Sequence, residues 1–420
     1  MAWAIVAAVL AFFTLLPVAG MAVAWGFFAY RSSKGYRPPQ PLPEVAVLLP
    51  LRGADPSLEA CLKGLLAQDY PAYRVHIVID SAEDPAQAVV ARLLADAGPF
   101  AASVHVETRH ILGTDCSAKM SAQLQVLAAL DIRIAVIAFL DADCIPSPNW
   151  LREIVGPLSD PRVGAATGIR WSAPGDEGWG TLVRYVFLGL AFPQHFLYRI
   201  PWGGSLAVRR SAIESTGLLK HWTHCLGEDT GAYGPLRNAG LRLAFVPAAT
   251  QVNSEATDLD GAHAFMLRQV VSARLHHVFW PLMFAANLAT IAAFLVSCLL
   301  ALAGIIGVAL SVLGVATQMW KLIAFAIIPA LYSVGLLIAL AVGDRLVRRV
   351  VDASPPPTGP KVIAAAAIAA ASAGYAILAA PFARSIEWRG LTYDIAGRDR
   401  IRLRSYRPYV AGTAPPRSIV

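Results

Sequence analysis

IAVIAFLDADCIPSPNW, residues 134–150, opens with seven apolar or small residues and then sets Asp141 and Asp143 one residue apart, ahead of Pro146 and Pro148. A short apolar run closed by prolines predicts a fully buried strand. Carboxylates at the C-terminal end of such a strand sit where open α/β sheets bind ligands. Asp-x-Asp at that place can hold a hard divalent cation through oxygens, and the cation can hold a diphosphate. By itself the tripeptide also fits a plain acidic turn, so its meaning depends on what surrounds it.

Outward from it the pattern repeats. Glu44 to Pro50 (EVAVLLP) predicts a buried strand closed by Pro50-Leu51-Arg52-Gly53. Tyr73 to Asp80 (YRVHIVID) predicts another, which ends on a carboxylate and is followed by Ser81, Glu83 and Asp84. In a parallel sheet these C-terminal ends share one edge, so Asp80 and Asp141 converge there. Gly53 allows close backbone approach, and Arg52 suits either a phosphate or uracil, or a solvated loop. Ser57 is placed to cap a helix running to Ala67. A helix over Ala86 to Ala97 follows, then strands over Ala101 to Val106 and Val163 to Trp171. Gly113 to Gln123 is a loop entering a helix, with Lys119 set for a phosphate or for solvent. Pro201 to Arg210 (PWGGSLAVRR) puts Gly203 and Gly204 where a backbone comes close to a ligand. The run His224 to Thr230 (HCLGEDT) leads into a helix. Asp229 there is either its cap or a general base aimed at an acceptor hydroxyl, with Glu228 beside it. Gly240 to Val246 predicts one more strand.

The 420 residues are 56% hydrophobic and 15% charged, with mean hydropathy +0.54. That is too apolar for a soluble globular protein. The excess lies in residues 4–30 and 281–381, so one α/β domain between membrane segments is expected. Trp3 to Tyr30 is uncharged and long enough to span, and Arg31, Lys34 and Arg37 follow it. The positive-inside rule then puts the next domain in the cytosol. The formal charge of +7 comes without a basic, aromatic-interleaved face, which argues against nucleic acid. Five scattered cysteines without CxxC spacing argue against a disulfide framework or zinc site. Gly178 to Tyr198, aromatic and carrying Pro193, predicts an interfacial segment broken at the proline, pressing the site's edge against the bilayer; a buried hairpin is the other reading. His263 to His277 is an amphipathic stretch bearing Arg268 and Gln269. Phe279 to Val315, 37 residues, is long for one span and tight for two. With Trp320 to Val342 and Lys361 to Ala383, three to four C-terminal spans result. The basic tail favours four, with the tail inside. The expected division is 1–30 anchor, 31–43 proline-rich linker, 44–278 catalytic domain, 279–383 membrane region and 384–420 cytosolic tail.

The ordered set PLRGADPSLEACLKGLLAQDYPAYRV with a downstream EDPA, LDADC at 140–144, GEDT at 227–230, the Arg268-Gln269 stretch and WRGLTY at 388–393 resembles membrane-bound inverting family 2 glycosyltransferases of the GT-A fold. Within them it is most similar to ceramide glucosyltransferases. The resemblance implies a Rossmann-like cytosolic domain in an integral membrane protein. A UDP-sugar is the implied donor, Mn2+ or Mg2+ the metal, and a lipid of the bilayer the acceptor. It implies that Pro50, Arg52 and Asp80, with Glu83 or Asp84, contact the nucleotide. Asp141 and Asp143 bind metal and diphosphate, and Asp229 is the base. Lys119, Gly203, Gly204, Arg268 and Gln269 complete the candidate donor site. The family's last motif is Gln or Arg followed three and four residues later by Arg-Trp; here Val271 and Ser272 stand in those places. That departure leaves open another acceptor (hopanoid, carotenoid, glycerolipid or polysaccharide), or a catalytically weak protein that binds nucleotide-sugar. A transporter is disfavoured, because the C-terminal spans carry almost no charge to mark a path.

Overall fold

The computed structural model describes residues 2–71, 73–96, 103–315, 318–354 and 359–409. The start of the strand expected from Ala101 and the last part of the tail, 410–420, lie outside them. Helix α1 (Ala2–Lys34) leads into β1 (Val45–Leu51), α2 (Leu58–Leu66), β2 (Tyr73–Ile79), α3 (Ala86–Asp96), β3 (Ser103–Thr108), α4 (Ala118–Ala129) and β4 (Val136–Leu140). Next come α5 (Trp150–Val155), β5 (Val163–Thr167) and β6 (Arg170–Ser172), two strands where one was expected. Helix α6 (Trp179–Tyr198) is followed by β7 (Ser205–Arg209), α7 (Arg210–Thr216), α8 (Leu218–Trp222), α9 (Tyr233–Asn238), β8 (Arg242–Phe245) and β9 (Gln251–Asn253).

The main sheet runs β3-β2-β1-β4-β7-β5-β8, parallel except for β7, which is antiparallel to both neighbours. This is the Rossmann-like α/β architecture expected of a GT-A domain. Strand β1 shows why continuous apolar runs were needed: alternate side chains face opposite sides of the sheet, and both sides are covered. Val45, Val47 and Leu49 pack with α2 and α5. Ala46 and Leu48 join a core that runs on through Met120 of α4 and Val183 of α6 to Trp25 and Phe28 of α1. Ser57 stands at the N-terminus of α2 without capping it, because its hydroxyl donates to Asp55 (2.8 Å).

Helix α6 is one continuous helix with Pro193 inside it. Its expected break is absent, and neighbouring helices hold the segment: Phe192 packs on Trp25 (centroids 4.3 Å apart), and Phe196 stacks on Phe27 (4.4 Å). Helix α10 (Leu259–His276) is capped by Asp258, whose carboxylate accepts from Gly261 N–H (2.8 Å). Beyond it are α11 (Trp280–Val312), α12 (Ile327–Val347), α13 (Pro360–Ala379) and a small antiparallel sheet of β10 (Ser385–Trp388), β11 (Leu391–Gly397) and β12 (Arg400–Leu403).

By length and composition four segments can cross a membrane, one N-terminal and three C-terminal among the described residues; this is the lower of the expected three to four C-terminal spans, because Phe279 to Val315 holds one helix and not two. The packing also sets the path. Helix α11 runs away from the catalytic domain, since Thr290 bonds the Phe13 carbonyl (3.1 Å) well back along α1. Helix α12 returns: Phe325 at its approach meets Trp3 (6.1 Å), and Gly343 near its end is bare where a side chain would strike Trp25. Helix α13 starts with Lys361 over Trp179 (5.3 Å) and ends where Arg274 of α10 donates to the Ala383 carbonyl (2.9 Å). Both ends of α13 therefore lie on the catalytic domain. It packs along α6 and α10, and the tail comes to the catalytic side without a fourth C-terminal crossing.

Candidate active site

Three adjacent parallel strands deliver their following residues to one edge: Arg52 after β1, Asp80 after β2 and Asp141 after β4. All three line one pocket, together with Pro50, Asp143 and Asp229. Asp80 is nearly enclosed. It pairs with Arg52, accepts from Arg109 (3.0 Å) and accepts from the Tyr406 hydroxyl (3.0 Å). The two carboxylates named beside it are elsewhere. Glu83 is exposed on its turn, and Asp84 holds the loops together by accepting from the backbone N–H of Gly53 (2.9 Å) and Ala86 (2.9 Å). Neither lines the pocket; a carboxylate two residues before a helix is well placed to take backbone donors instead.

Lys119 sits in the first turn of α4, whose N-cap Ser117 accepts from Met120 N–H (3.0 Å) and donates to the Leu226 carbonyl (2.6 Å). That second bond ties the helix to the loop carrying Glu228 and Asp229. Lys119 reaches Asp141 (2.6 Å) and Glu228 (2.9 Å). Burial alone would push its ammonium towards neutrality, but the two carboxylates outweigh burial and hold the charge. Burial likewise raises the Asp141 carboxyl, and Lys119, helped by Arg170 and Arg389, brings it below its ordinary value. Glu228 has no exposed side-chain surface. Burial raises its carboxyl well above normal, Asp229 and Asp141 add to this, and Lys119 only partly offsets it. Asp143 is paired with Arg170 and accepts from Asn253 (3.2 Å), so β6 and β9 brace it from behind.

Asp229 precedes α9 by several residues and caps nothing there; its Oδ2 accepts from Gly203 N–H (2.9 Å). Gly203 and Gly204 are needed for a different reason from the one expected. A Cβ on Gly203 would lie 2.0 Å from the Glu228 carboxylate, and one on Gly204 would lie 2.2 Å from the Trp202 ring. They make room for side chains and do not line the pocket, while Trp202 does. From α10, Arg268, Gln269 and Ser272 face the pocket. Arg268 lies over the rings of Phe265 (5.5 Å) and Trp388 (5.9 Å).

The residues that sequence reasoning passed over are Asp55, Arg170 and the tail. Trp388, Arg389, Leu391 and Tyr393 all line the pocket. Arg389 pairs with Asp55 (3.0 Å), Arg52 donates to the Arg389 carbonyl (3.0 Å), and the Tyr393 hydroxyl accepts from Ala118 N–H (3.1 Å). The far end of the small sheet is tied down by Asp399 to His276 (2.8 Å). The available signal was WRGLTY itself, a short apolar-aromatic run in an otherwise basic tail. As a group, the pocket can hold a hard cation on carboxylate oxygens, bind an anion on guanidinium groups and take a proton at Asp229.

Comparison with known proteins gives a family model described as glycosyl transferase family 21, matching residues 9–401. The ceramide glucosyltransferase of Komagataella phaffii is 34% identical over 74 residues, which is 17% of this chain and only 14% of that protein's length. Among solved structures, the mannosyltransferase PcManGT from Pyrobaculum calidifontis, in complex with GDP-Man and Mn2+, is 18% identical. The alignment covers 90% of this chain and 98% of that one, with a TM-score of 0.46. Glucosyl-3-phosphoglycerate synthase from Mycobacterium tuberculosis, in complex with Mn2+ and UDP-glucose, is also 18% identical, covering 60% and 82% with a TM-score of 0.37.

Proposed function

The chain belongs to glycosyl transferase family 21, and from that premise we propose that it moves glucose from UDP-glucose to the hydroxyl of a ceramide-like membrane lipid. The observation that carries this reading is a single pocket shared by Asp141, Asp143 and Asp229 with Arg52 and Lys119. It is lined by α10, whose other side packs on the apolar helix α13. A polar donor site one helix away from an apolar layer suits a lipid acceptor.

In this reading Pro50, Arg52 and Asp80 receive the nucleotide. Asp141 and Asp143 are the pair to hold Mn2+ or Mg2+, since hard carboxylate oxygens fit either ion. Lys119 and Arg170 are the groups that must give way on those carboxylates. When bound, the ion supplies charge stabilisation for the departing diphosphate. Asp229, oriented by Gly203 N–H, takes the proton of the acceptor hydroxyl. The acceptor oxygen then bonds to the anomeric carbon from the face opposite the diphosphate. The carbon–oxygen bond to the diphosphate breaks, and UDP leaves with the electron pair. One displacement inverts the anomeric centre without a covalent enzyme intermediate, unlike glycoside hydrolysis through paired carboxylates. Arg31 and Lys34 in the last turn of α1, Arg37 just past it, and Arg345, Arg348 and Arg349 around the end of α12 support a cytosolic catalytic domain by the positive-inside rule. The division at 44–278 and 279–383 is retained, with 385–403 joined to the catalytic domain.

The test is UDP release by the detergent-purified protein, given UDP-glucose, Mn2+ or Mg2+ and a panel of lipids including ceramide, with Asp141→Ala as the blank. Release that depends on one lipid and disappears in the variant is expected. Nucleotide binding with no release for any lipid or UDP-sugar would instead identify a binding protein.

A further inference from the structure

Val271 and Ser272 stand where the resemblance implies an arginine and a tryptophan; Ser272 lines the pocket and Val271 is buried beside it. Val271 is buried against Ile386, Leu391 and Tyr393 of the small C-terminal sheet. The same sheet carries an adjacent tryptophan and arginine, Trp388 and Arg389; both line the pocket, and Trp388 packs on the cluster that holds Val271.

Arg389 and Gly390 form the two-residue turn joining β10 to β11, with φ of 49° and 75°. A two-residue hairpin loop with positive φ at both positions favours Asn-Gly or Asp-Gly. Arginine at the first of them has no conformational advantage, so its side chain is the reason to look for a role. Arg389 also converges with other cations. Arg268, stacked on Trp388, is buried, and its guanidinium is pushed down to about 9, first by burial and then by Arg170 and Arg389. Three guanidinium groups from β6, α10 and the hairpin thus face one space close to Asp141 and Asp143. Like charges brought together inside a pocket are stabilised by an anion, and planar guanidinium forks match phosphate oxygens.

We propose that the C-terminal hairpin supplies a diphosphate-binding element, in which Arg389, with Arg268 and Arg170, receives the diphosphate of the nucleotide-sugar and Trp388 positions Arg268. This rests on the nucleotide-sugar reading above. Binding moves Arg389 from Asp55 towards the diphosphate; no bond is made or broken.

The experiment is titration of the full-length protein in detergent with UDP and with uridine. Arg389→Ala is expected to weaken UDP about 10- to 100-fold while uridine stays within about twofold. Arg389→Lys, the safer variant for folding, keeps the charge but loses the fork and falls between. The inference is overturned if Arg389→Ala and Arg389→Lys weaken UDP and uridine in proportion, or if neither changes UDP affinity. A wild-type protein that binds no UDP would overturn the nucleotide-sugar reading as well, whereas wild-type binding with an unchanged ratio in the variants removes only the role of Arg389.

Discussion

One wall of the pocket is made of strand ends, the other of a hairpin. Arg52, Asp80 and Asp141 follow three paired strands, and a one-residue slip of any of them would turn buried side chains to the wrong face. The hairpin wall reaches them from 337 positions away, through Arg52 to the Arg389 carbonyl. No strand of the hairpin pairs with the main sheet. It is held by Arg389 to Asp55, Tyr406 to Asp80 and Asp399 to His276, by backbone bonds from Leu403 N–H to the Thr114 carbonyl (2.7 Å) and from Asp399 N–H to the Leu275 carbonyl (3.2 Å), and by the packing of Ile386, Leu391 and Tyr393 on Val271 and Leu275. The difference teaches two modes of attachment. The strand-end wall is fixed by the register of the main sheet, while the hairpin wall is docked on it through an apolar cluster and scattered polar contacts.

The most drastic way to break this comparison concerns the path of α13. Lys361→Cys and Ser385→Cys should react with an impermeant maleimide from the same side of sealed vesicles. Labelling from opposite sides would mean that α13 crosses the bilayer, and the hairpin wall would be lost from the pocket. Next in size, Asp229→Asn should lower kcat by about 10^2- to 10^4-fold while UDP affinity holds; full transfer activity would end its assignment as the base. Arg52 touches both walls, and Arg52→Ala should raise KM for the nucleotide-sugar about tenfold or more with a smaller change in kcat. Tyr406→Phe removes one hydrogen bond to Asp80, and a KM increase of about fivefold is expected from roughly 1 kcal/mol. A fall in kcat at constant KM would show that the hairpin acts in the chemical step.

The smallest effect is on stability. The Glu228 carboxyl is raised in the folded protein, first by burial, so its ionisation costs stability. That cost is absent below the ordinary value of 4.5 and grows as pH rises through the folded value. Glu228→Gln should therefore melt increasingly above the wild type as pH is raised from about 5 to about 7, with the difference levelling off above that. A constant difference across that range would show that Glu228 does not titrate there.

Most of the strand-end wall was legible because local pattern and chemistry coincide: an apolar run gives a buried strand, and the next residue falls on the ligand edge. Asp80 and Asp141 were found in this way. Glu83 and Asp84 were drawn in by proximity in sequence, yet a turn of a few residues sends one to solvent and the other to backbone N–H groups. Gly203 and Gly204 suggest a backbone close to a ligand, yet what comes close is the Glu228 carboxylate and the Trp202 ring, which no local pattern reveals. Arg170 was invisible because it opens a three-residue strand paired with Gln251, far along the chain. The hairpin was hidden for the same reason, in stronger form. The number of C-terminal spans stays open between three and four in the sequence because Phe279 to Val315 is longer than one span needs; in the structure it holds a single helix, α11.

The place of the hairpin in the order of synthesis also bears on how the protein is made. Strands β1, β2 and β4 lie within residues 45–140, whereas β10 and β11 follow α11, α12 and α13. On the ribosome the acidic edge is therefore made with three apolar helices still to come, and the hairpin only after them. A nascent chain carries half a donor site until residues 385–403 have left the exit tunnel. Ribosome-bound chains stalled soon after residue 384 should fail to retain UDP where chains released after residue 409 succeed.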